Sequence, residues 1–158
     1  MHSRIFQLEK ECLPEEEYIS SDTIPDWFTD EIADYVSDDV DRDNDIEWLM
    51  AGAIGGCCSR EGNKIIFSDT RKYFEGKYED FVNAAKELSG CTLDAFISGH
   101  KIWSNLYSLK RAFNNKVGFY VYSESNNGYG ELDTLDNFMR VVKPGDVYYI
   151  GGIVDYHC

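Results

Sequence analysis

Acidic side chains in this chain are concentrated in one segment, and this concentration constrains the fold more than any other feature. Residues 11–50 contain fifteen acidic side chains and a single basic one, Arg42, which gives the segment a net charge of −14. The other 118 residues contain fourteen acidic and fourteen basic side chains. The charge of the whole chain is therefore the charge of one quarter of it, and the remainder is an ordinary, charge-balanced domain.

Apolar side chains are distributed through the acidic segment, which distinguishes it from a solvated tail. They are Ile19, Ile24, Trp27, Phe28, Ile32, Tyr35, Val36, Val40, Ile46, Trp48 and Leu49. The whole chain is 43% hydrophobic and 15% aromatic, which is enough to build a core despite the charge. A length of 158 residues is typical of one domain. We therefore expect a single domain over residues 1–158, with an acidic helical segment at 11–50.

Apolar residues after Pro25 recur at helical spacing and predict a helix over 26–37. The opposite face of that helix would carry Asp26, Asp30 and Asp34, with Asp38 continuing the row. Like charges four residues apart destabilise a helix slightly, so local stability does not explain the pattern. Four residues of helix rise about 6 Å, which is comparable to the spacing of successive phosphates on a nucleic-acid strand. The row therefore motivates a hypothesis of nucleic-acid mimicry.

The rest of the chain predicts an α+β fold. We expect about four strands in a mostly antiparallel sheet, at 3–8, 64–68, 117–122 and 147–156, together with four or five helices. The further helices are predicted at 71–88, 92–96, 102–113 and 134–142, with Thr92 and Thr134 as N-caps. In the helix over 102–113, Leu106, Leu109 and Phe113 are expected to face inward. An Asn-Asn-Gly sequence at 126–128 predicts a turn.

Charge and hydropathy limit the partners and the compartment. A net charge of −14 disfavours direct binding to nucleic acid or to an anionic membrane, since both are polyanions, and it favours a basic protein as partner. No stretch approaches the roughly 20 apolar residues that cross a bilayer, and no signal-peptide apolar region precedes the first acids. We therefore expect a cytoplasmic protein. Its five cysteines, an odd number, suggest reduced thiols and no disulfide framework.

Alternating acids at 39–47 resemble the start of a calcium-binding loop, which uses carboxylates at positions 1, 3 and 5 and a glutamate at position 12. Counting from Asp39 places Met50 at position 12, and counting from Asp41 places Gly52 there. Neither residue can supply the closing ligand. We therefore predict no metal site, and keep a cation-binding domain that uses residues 39–47 as an alternative.

Catalytic residues are not indicated by any motif. Cys91 and His100 are the only candidates for a nucleophile and its base, and nothing in the neighbouring sequence activates either one. A metal centre built on His2, His157 and Cys158 would require the two ends of the chain to converge. We therefore predict a non-enzymatic protein without a cofactor. An enzyme with a scattered site, for which Cys91, His100 and the tyrosines are the candidates, is kept as an alternative.

Three stretches carry a resemblance: Arg4-Ile5-Phe6-Gln7 at the start, and Tyr149-Ile150-Gly151 and Asp155-Tyr156-His157 at the end. With the Asp-rich first third, they make the chain similar to uncharacterised small acidic proteins of Firmicutes and their mobile elements. In charge design it also resembles DNA-mimic inhibitors of restriction or CRISPR systems. The second resemblance implies a protein that blocks a nucleic-acid-binding protein.

These observations lead to one hypothesis of function. Carboxylates acting as phosphate surrogates would compete for a basic groove of a partner, which we expect to be a nucleic-acid-binding protein. Nearby aromatic residues such as Trp27 or Trp48 would supply short-range specificity if they are exposed, and Trp48 and Tyr129 are the first candidates for an aromatic binding surface. The alternative is an interaction or regulatory domain whose acidity only serves solubility. The oligomeric state is left open. The predicted partner-binding residues are Asp26, Asp30, Asp34, Asp38, Asp39, Asp41, Asp43, Asp45 and Trp48.

Overall fold

The structure is a computed structural model that describes residues 1–124 and 131–158. The predicted turn at 126–128 and Tyr129 lie outside the described residues. The strands are β1 (His2–Glu9), β2 (Tyr35–Ser37), β3 (Cys58–Glu61), β4 (Lys64–Phe67), β5 (Tyr120–Tyr122), β6 (Leu132–Thr134) and β7 (Val147–His157). The helices are α1 (Asp26–Glu31), α2 (Arg42–Leu49), α3 (Arg71–Ser89), α4 (Leu93–Ser98), α5 (His100–Phe113) and α6 (Leu135–Val141). Short 3₁₀ turns lie at Glu15–Glu17 and Ser21–Thr23, and a π-helical turn at Met50–Ile54 follows α2.

The seven described strands form one sheet in the order β3-β4-β7-β1-β5-β6. Strands β1 and β7, the longest two, are paired antiparallel at its centre, and only the β1–β5 pair is parallel. The other edge of β7 is shared, because β4 pairs with its first residues and β2 with its last, Asp155 to His157. The predicted α+β class with a mostly antiparallel sheet is therefore confirmed, with more strands than the four expected.

Each face of the sheet has its own hydrophobic core, because side chains alternate along a strand. On one face, Ile5 of β1 and Val154 of β7 pack against Ile19, Ile24 and Phe28. These three belong to the first part of the acidic segment. On the other face the central strands pack against α6, α2 and the π-helical turn, with Phe6, Leu8, Ile46, Leu49, Ile54, Phe138 and Ile153 in the core. The acidic segment therefore covers both faces and crosses the edge of the sheet at β2.

The predicted helix over 26–37 is wrong beyond residue 31. Helix α1 ends at Glu31, where Ile32 leaves helical geometry and the amides of Ile32 and Ala33 both donate to the Phe28 carbonyl. The next amide, of Asp34, donates to His157, and residues 35–37 then pair with β7. Residues 35–37 pair with β7 and do not continue the helix, because Tyr35 and Val36 have strand-forming side chains and an unpaired edge of β7 is available.

The strands that the sequence did not predict, β2, β3 and β6, are three or four residues long, too short for alternation to be visible. Predicted strands at 3–8, 64–68 and 147–156 correspond to β1, β4 and β7, while β5 begins at Tyr120 and not at 117. Both predicted N-caps are confirmed, since the hydroxyl oxygens of Thr92 and Thr134 accept from the amides of Ala95 and Asn137.

Helices α3 and α5 pack side by side, joined by α4, and form a helical hairpin. Its base is attached to α6 through Asp136, a buried residue with three partners. The carboxylate of Asp136 accepts from the Tyr73 hydroxyl at 2.6 Å and from the Asn115 amide at 2.6 Å, and lies 3.0 Å from Lys77 Nζ. The expectation that Leu106 and Phe113 face inward is wrong, because their side chains are 38% and 60% exposed.

Candidate functional site: the acidic segment on the sheet

A β-bulge at the centre of the sheet is where the acidic segment is attached. Phe6 pairs with Ile153 and Leu8 pairs with Ile150, so Gly151 and Gly152 of β7 lie opposite Gln7 alone. The Gln7 side chain is buried, and its Oε1 accepts from the amides of Gly152 at 2.8 Å and Ile19 at 3.0 Å. Its Nε2 donates to the Glu17 carbonyl at 3.3 Å. One side chain therefore satisfies backbone groups of both the bulge and the acidic segment.

Glycine is required at the bulge because the acidic segment comes so close to it. A Cβ atom on Gly152 would lie 2.6 Å from both the backbone nitrogen and the backbone oxygen of Ile19. A Cβ on Gly151 would lie 2.4 Å from Oε1 of Gln7. Such distances are below van der Waals contact, so any larger residue at 152 pushes the segment off the sheet.

Arg42, the single cation of the acidic segment, holds the same bulge. Its guanidinium donates to the carbonyls of Gly151 and, at 3.1 Å, of Ile150, and it lies over the Tyr18 ring at 5.1 Å. The amides and carbonyls that the bulge leaves free are thus bonded by Gln7 and Arg42. The acidic segment is therefore fixed to the sheet at residues 17–19 and again at residue 42.

Only part of the predicted row of four carboxylates lies on one helix. Asp26 and Asp30 are exposed on α1, one turn apart. Asp34 follows the helix and lies 3.0 Å from Nδ1 of His157. Asp38 follows β2 and accepts from the amide and the hydroxyl of Ser21, at 2.6 Å and 2.8 Å. The phosphate-like spacing predicted from an unbroken helix is therefore restricted to the first pair.

The remaining predicted residues lie on or beside α2. Asp39 and Asp43 are exposed, and Asp41 caps α2 by accepting from the amide of Asn44. Asp45 is buried, with Oδ1 2.9 Å from Nε of Arg4 but outside hydrogen-bond geometry, so the contact is an ion pair. The prediction that Asp45 is presented to a partner is therefore wrong, since its side chain is only 6% exposed and faces a cation inside the protein.

Residues 39–47 also fail as a calcium loop, because α2 begins at Arg42 and a helix cannot wrap around an ion. No group of three or more His, Cys, Asp or Glu side chains that could hold a metal ion occurs within residues 1–124 and 131–158. The two ends of the chain do converge, with the His2 and His157 rings 5.1 Å apart. Each of the two rings pairs with its own carboxylate, that of Asp155 or that of Asp34.

Trp48 lies on α2 and is 43% exposed. Its ring packs edge-on against Phe119 at 4.7 Å, and the Arg4 guanidinium lies 5.6 Å from the ring centre. Because α2 and α1 cover opposite faces of the sheet, Trp48 does not share a surface with Asp26 and Asp30.

Most of the acidic segment has no counter-charge of its own. Among the residues described, three of its fifteen acids lie within 4 Å of a basic side chain: Asp34 near His157, Asp45 near Arg4, and Glu47 near Arg60. The other twelve are all exposed. Twelve carboxylates held on a folded frame without intramolecular neutralisation create a strongly negative field that attracts cationic groups.

The candidate nucleophiles do not form a site. Cys91 is exposed, and the structure does not describe the side chain of His100. Burial raises the pKa of the Cys57 thiol, and burial together with the neighbouring Cys57 raises the pKa of Cys58 to about 11. The thiols of Cys57 and Cys58 are therefore protonated at neutral pH and are weak nucleophiles.

Comparisons of the chain with protein-family models, with curated proteins and with solved structures find no match. Of the helices in the described part of the chain, none combines the length and the apolar character needed to cross a lipid bilayer.

Proposed function

We propose that this chain is a non-enzymatic cytoplasmic protein that binds a basic partner, and that the partner is a nucleic-acid-binding protein whose basic groove the acidic segment occupies. The single observation that carries the proposal is the set of twelve exposed carboxylates without an intramolecular cation among the described residues. Self-repulsion among so many like charges costs stability, so their concentration in one quarter of the chain calls for a compensating role.

Attachment to the sheet supports binding as that role. A flexible acidic tail loses conformational entropy when it binds, whereas residues fixed by Gln7, Arg42 and the core side chains Ile24 and Phe28 have already lost it on folding. Carboxylates on such a frame meet a basic groove in a preset arrangement. Charge complementarity then speeds association and makes affinity fall as salt rises.

The surface that fits the proposal best surrounds α1. Asp38 bonds to Ser21, which brings Asp38 and Asp39 beside Asp22 and the start of α1. We call the carboxylates of Asp22, Asp26, Asp30, Asp38 and Asp39 the α1 surface. The acids of α2 and Trp48 lie on the opposite face of the sheet and are not part of it.

A second candidate function is supported by that same division. Acids spread over both faces of a sheet also occur where acidity only keeps an interaction or regulatory domain soluble. The two candidates differ in one respect: a binding surface loses its partner when its own acids are neutralised, whereas a solubilising charge can be removed from either face with equal effect.

The experiment that separates them is retention of lysate proteins at low salt on the immobilised chain and on a variant with Asp22, Asp26, Asp30 and Asp39 changed to Asn. None of these four side chains bonds to another group in the described structure, so the fold should be unaffected. Four exposed ion pairs at about 0.5 kcal/mol each sum to about 2 kcal/mol, which is a roughly thirtyfold loss of affinity.

A matched control removes the same number of charges elsewhere, by changing Glu61, Asp80, Glu87 and Asp94 to their amides. All four are exposed and lie outside the acidic segment. The proposal expects a nucleic-acid-binding protein to be retained by the native chain and the control and to be lost from the α1-surface variant. Equal retention by all three proteins contradicts it.

A further inference from the structure

Large apolar side chains are exposed on the helical hairpin formed by α3, α4 and α5. Ten of the fifteen large apolar residues that are exposed in the described part of the chain lie between residues 78 and 117. We call the exposed aromatic members the hairpin face: Tyr78, Phe81, Phe96, Trp103, Tyr107 and Phe113. Scattered single residues of this kind are normal on a surface, but a concentration on one pair of helices is not.

Helix geometry places Trp103 and Tyr107 away from the contact between the two helices. In α5, the partly buried residues Ile102, Leu109 and Ala112 lie toward α3. At about 100° for each residue, Trp103 and Tyr107 lie about 100° or more round the helix from all three. The apolar arc of α5 is therefore wider than its contact with α3 requires.

The two helices contribute to the same side of the hairpin. Phe81 of α3 and Phe113 of α5 lie with their ring centres 6.3 Å apart. The opposite side is a polar groove between the same helices, lined by residues such as Asp80, Asn105 and Arg111. One side of the hairpin is thus polar and the other is apolar and uncovered.

The hairpin is held at its base in a position that leaves this face open. Asp136 of α6 bonds to Tyr73 and lies beside Lys77, both at the start of α3. At the end of α5, Arg140 of α6 donates to the Phe113 carbonyl and lies 4.5 Å from the centre of the Phe113 ring. Because both ends of the hairpin are tied to α6, the exposed face does not fold back onto the sheet.

The exposed area matches that of a protein interface. The six aromatic side chains of the hairpin face are 36–74% exposed. At about 200 Å² for each aromatic side chain, they leave roughly 700 Å² uncovered. This exceeds the largest apolar patch of a typical monomer, about 300–600 Å², and approaches the roughly 800 Å² that each partner buries in a stable complex.

The charge of the hairpin restricts how a second copy can be placed on it. Residues 71–117 contain eight basic and five acidic side chains, for a net charge of +3, so two hairpins repel weakly unless their cationic helices are kept apart. Within it, α5 carries three basic and no acidic side chains, whereas α3 carries four of each. A second copy can therefore place its α3 on α5 and its α5 on α3, which avoids contact between the two cationic helices.

We propose that the hairpin face is the interface of a homodimer, in which two hairpins pack with two-fold symmetry into a four-helix arrangement. Such an interface buries the same patch on both copies. Antiparallel packing of amphipathic helices around a shared apolar core is a stable way to cover faces of this shape. The acidic segments of the two copies stay outside the contact.

Sedimentation velocity of the full chain tests the proposal, over about 1 to 100 μM protein, the range in which an interface of moderate affinity assembles. The expected mass is twice the 18.1 kDa of the chain. The double variant Trp103→Ser, Tyr107→Ser should sediment as a monomer throughout that range. Trp27→Ser, which removes a half-exposed tryptophan of α1, should remain a dimer.

Tyr78→Lys is a second disrupting variant, on the other helix. The Tyr78 side chain is 68% exposed, so the change should leave the fold intact, which a circular dichroism spectrum checks. A native chain that is monomeric at every concentration overturns the proposal, as does a dimer that survives both disrupting variants. Flotation with anionic vesicles is measured alongside, and a monomer that floats assigns the face to a lipid surface and overturns the dimer.

Discussion

Replacement of the buried Gln7 by leucine tests how the acidic segment is attached to the sheet. The two side chains are similar in size, so the change removes three hydrogen bonds and little packing. The amides of Ile19 and Gly152 lose their acceptor, and both residues are buried. A buried donor without a partner costs about 1–3 kcal/mol, so we expect the free energy of unfolding to fall by about 4 kcal/mol in total.

Urea unfolding followed by tryptophan fluorescence measures that loss. With a denaturant dependence of about 2 kcal/mol per molar, the midpoint should fall by about 2 M.

A limited digest with a glutamate-specific protease adds a local measurement, since residues 15–17 should be cut faster when the attachment is lost. Asn83→Leu, an amide removed from an exposed position on α3, should shift the midpoint by less than about 0.3 M. If Gln7→Leu unfolds at the native midpoint, the segment is not held by this side chain.

Three further predictions follow from the same geometry. Gly152→Ala should prevent the close approach of Ile19 and lower the melting temperature, measured by calorimetry, by more than about 10 °C. An unchanged melting temperature would contradict the close contact between the bulge and Ile19. Asp45→Asn should lower the free energy of unfolding in urea by about 2 kcal/mol, because Arg4 loses one buried partner and keeps Asp155. The same change should leave capture of the partner unaltered. If capture is lost while stability stays native, Asp45 belongs to the binding surface after all. With a pKa of about 11, Cys58 is deprotonated in about one molecule in a thousand at pH 8. A thiol reagent should therefore label the exposed Cys12 long before it labels Cys58. Equal labelling rates would contradict the raised pKa of Cys58.

Much of the fold follows from local sequence patterns. The alternating apolar residues of β1 and β7 and the N-caps Thr92 and Thr134 are signals contained in a few neighbouring residues. The end of α1 is not such a signal. Residues 32–37 keep helical spacing in the sequence, and what makes residues 35–37 a strand is the free edge of β7, which is more than a hundred residues away along the chain.

The candidate site was predictable to a similar degree. The charge of the acidic segment and the exposure of most of its carboxylates follow from composition. Its attachment does not, because Gln7, Gly152 and Arg42 are far apart in sequence and meet only at the bulge. Arg42 was the residue that could have indicated this attachment. The single cation among fifteen acids is expected to make its contacts inside the fold and not on the surface. The burial of Asp45 escaped prediction for the same reason, since its partner Arg4 lies on β1.

The measurement that tests the proposed mimicry most directly is competition with DNA. Lysate proteins retained on the immobilised chain at low salt are eluted with duplex DNA at constant ionic strength, alongside a column that carries the α1-surface variant. Competition for one basic groove predicts that DNA displaces a nucleic-acid-binding protein from the native column, and that the variant column holds little of it. Retained proteins that DNA does not displace, or that both columns hold equally, would contradict a role for the α1 surface as a substitute for nucleic acid.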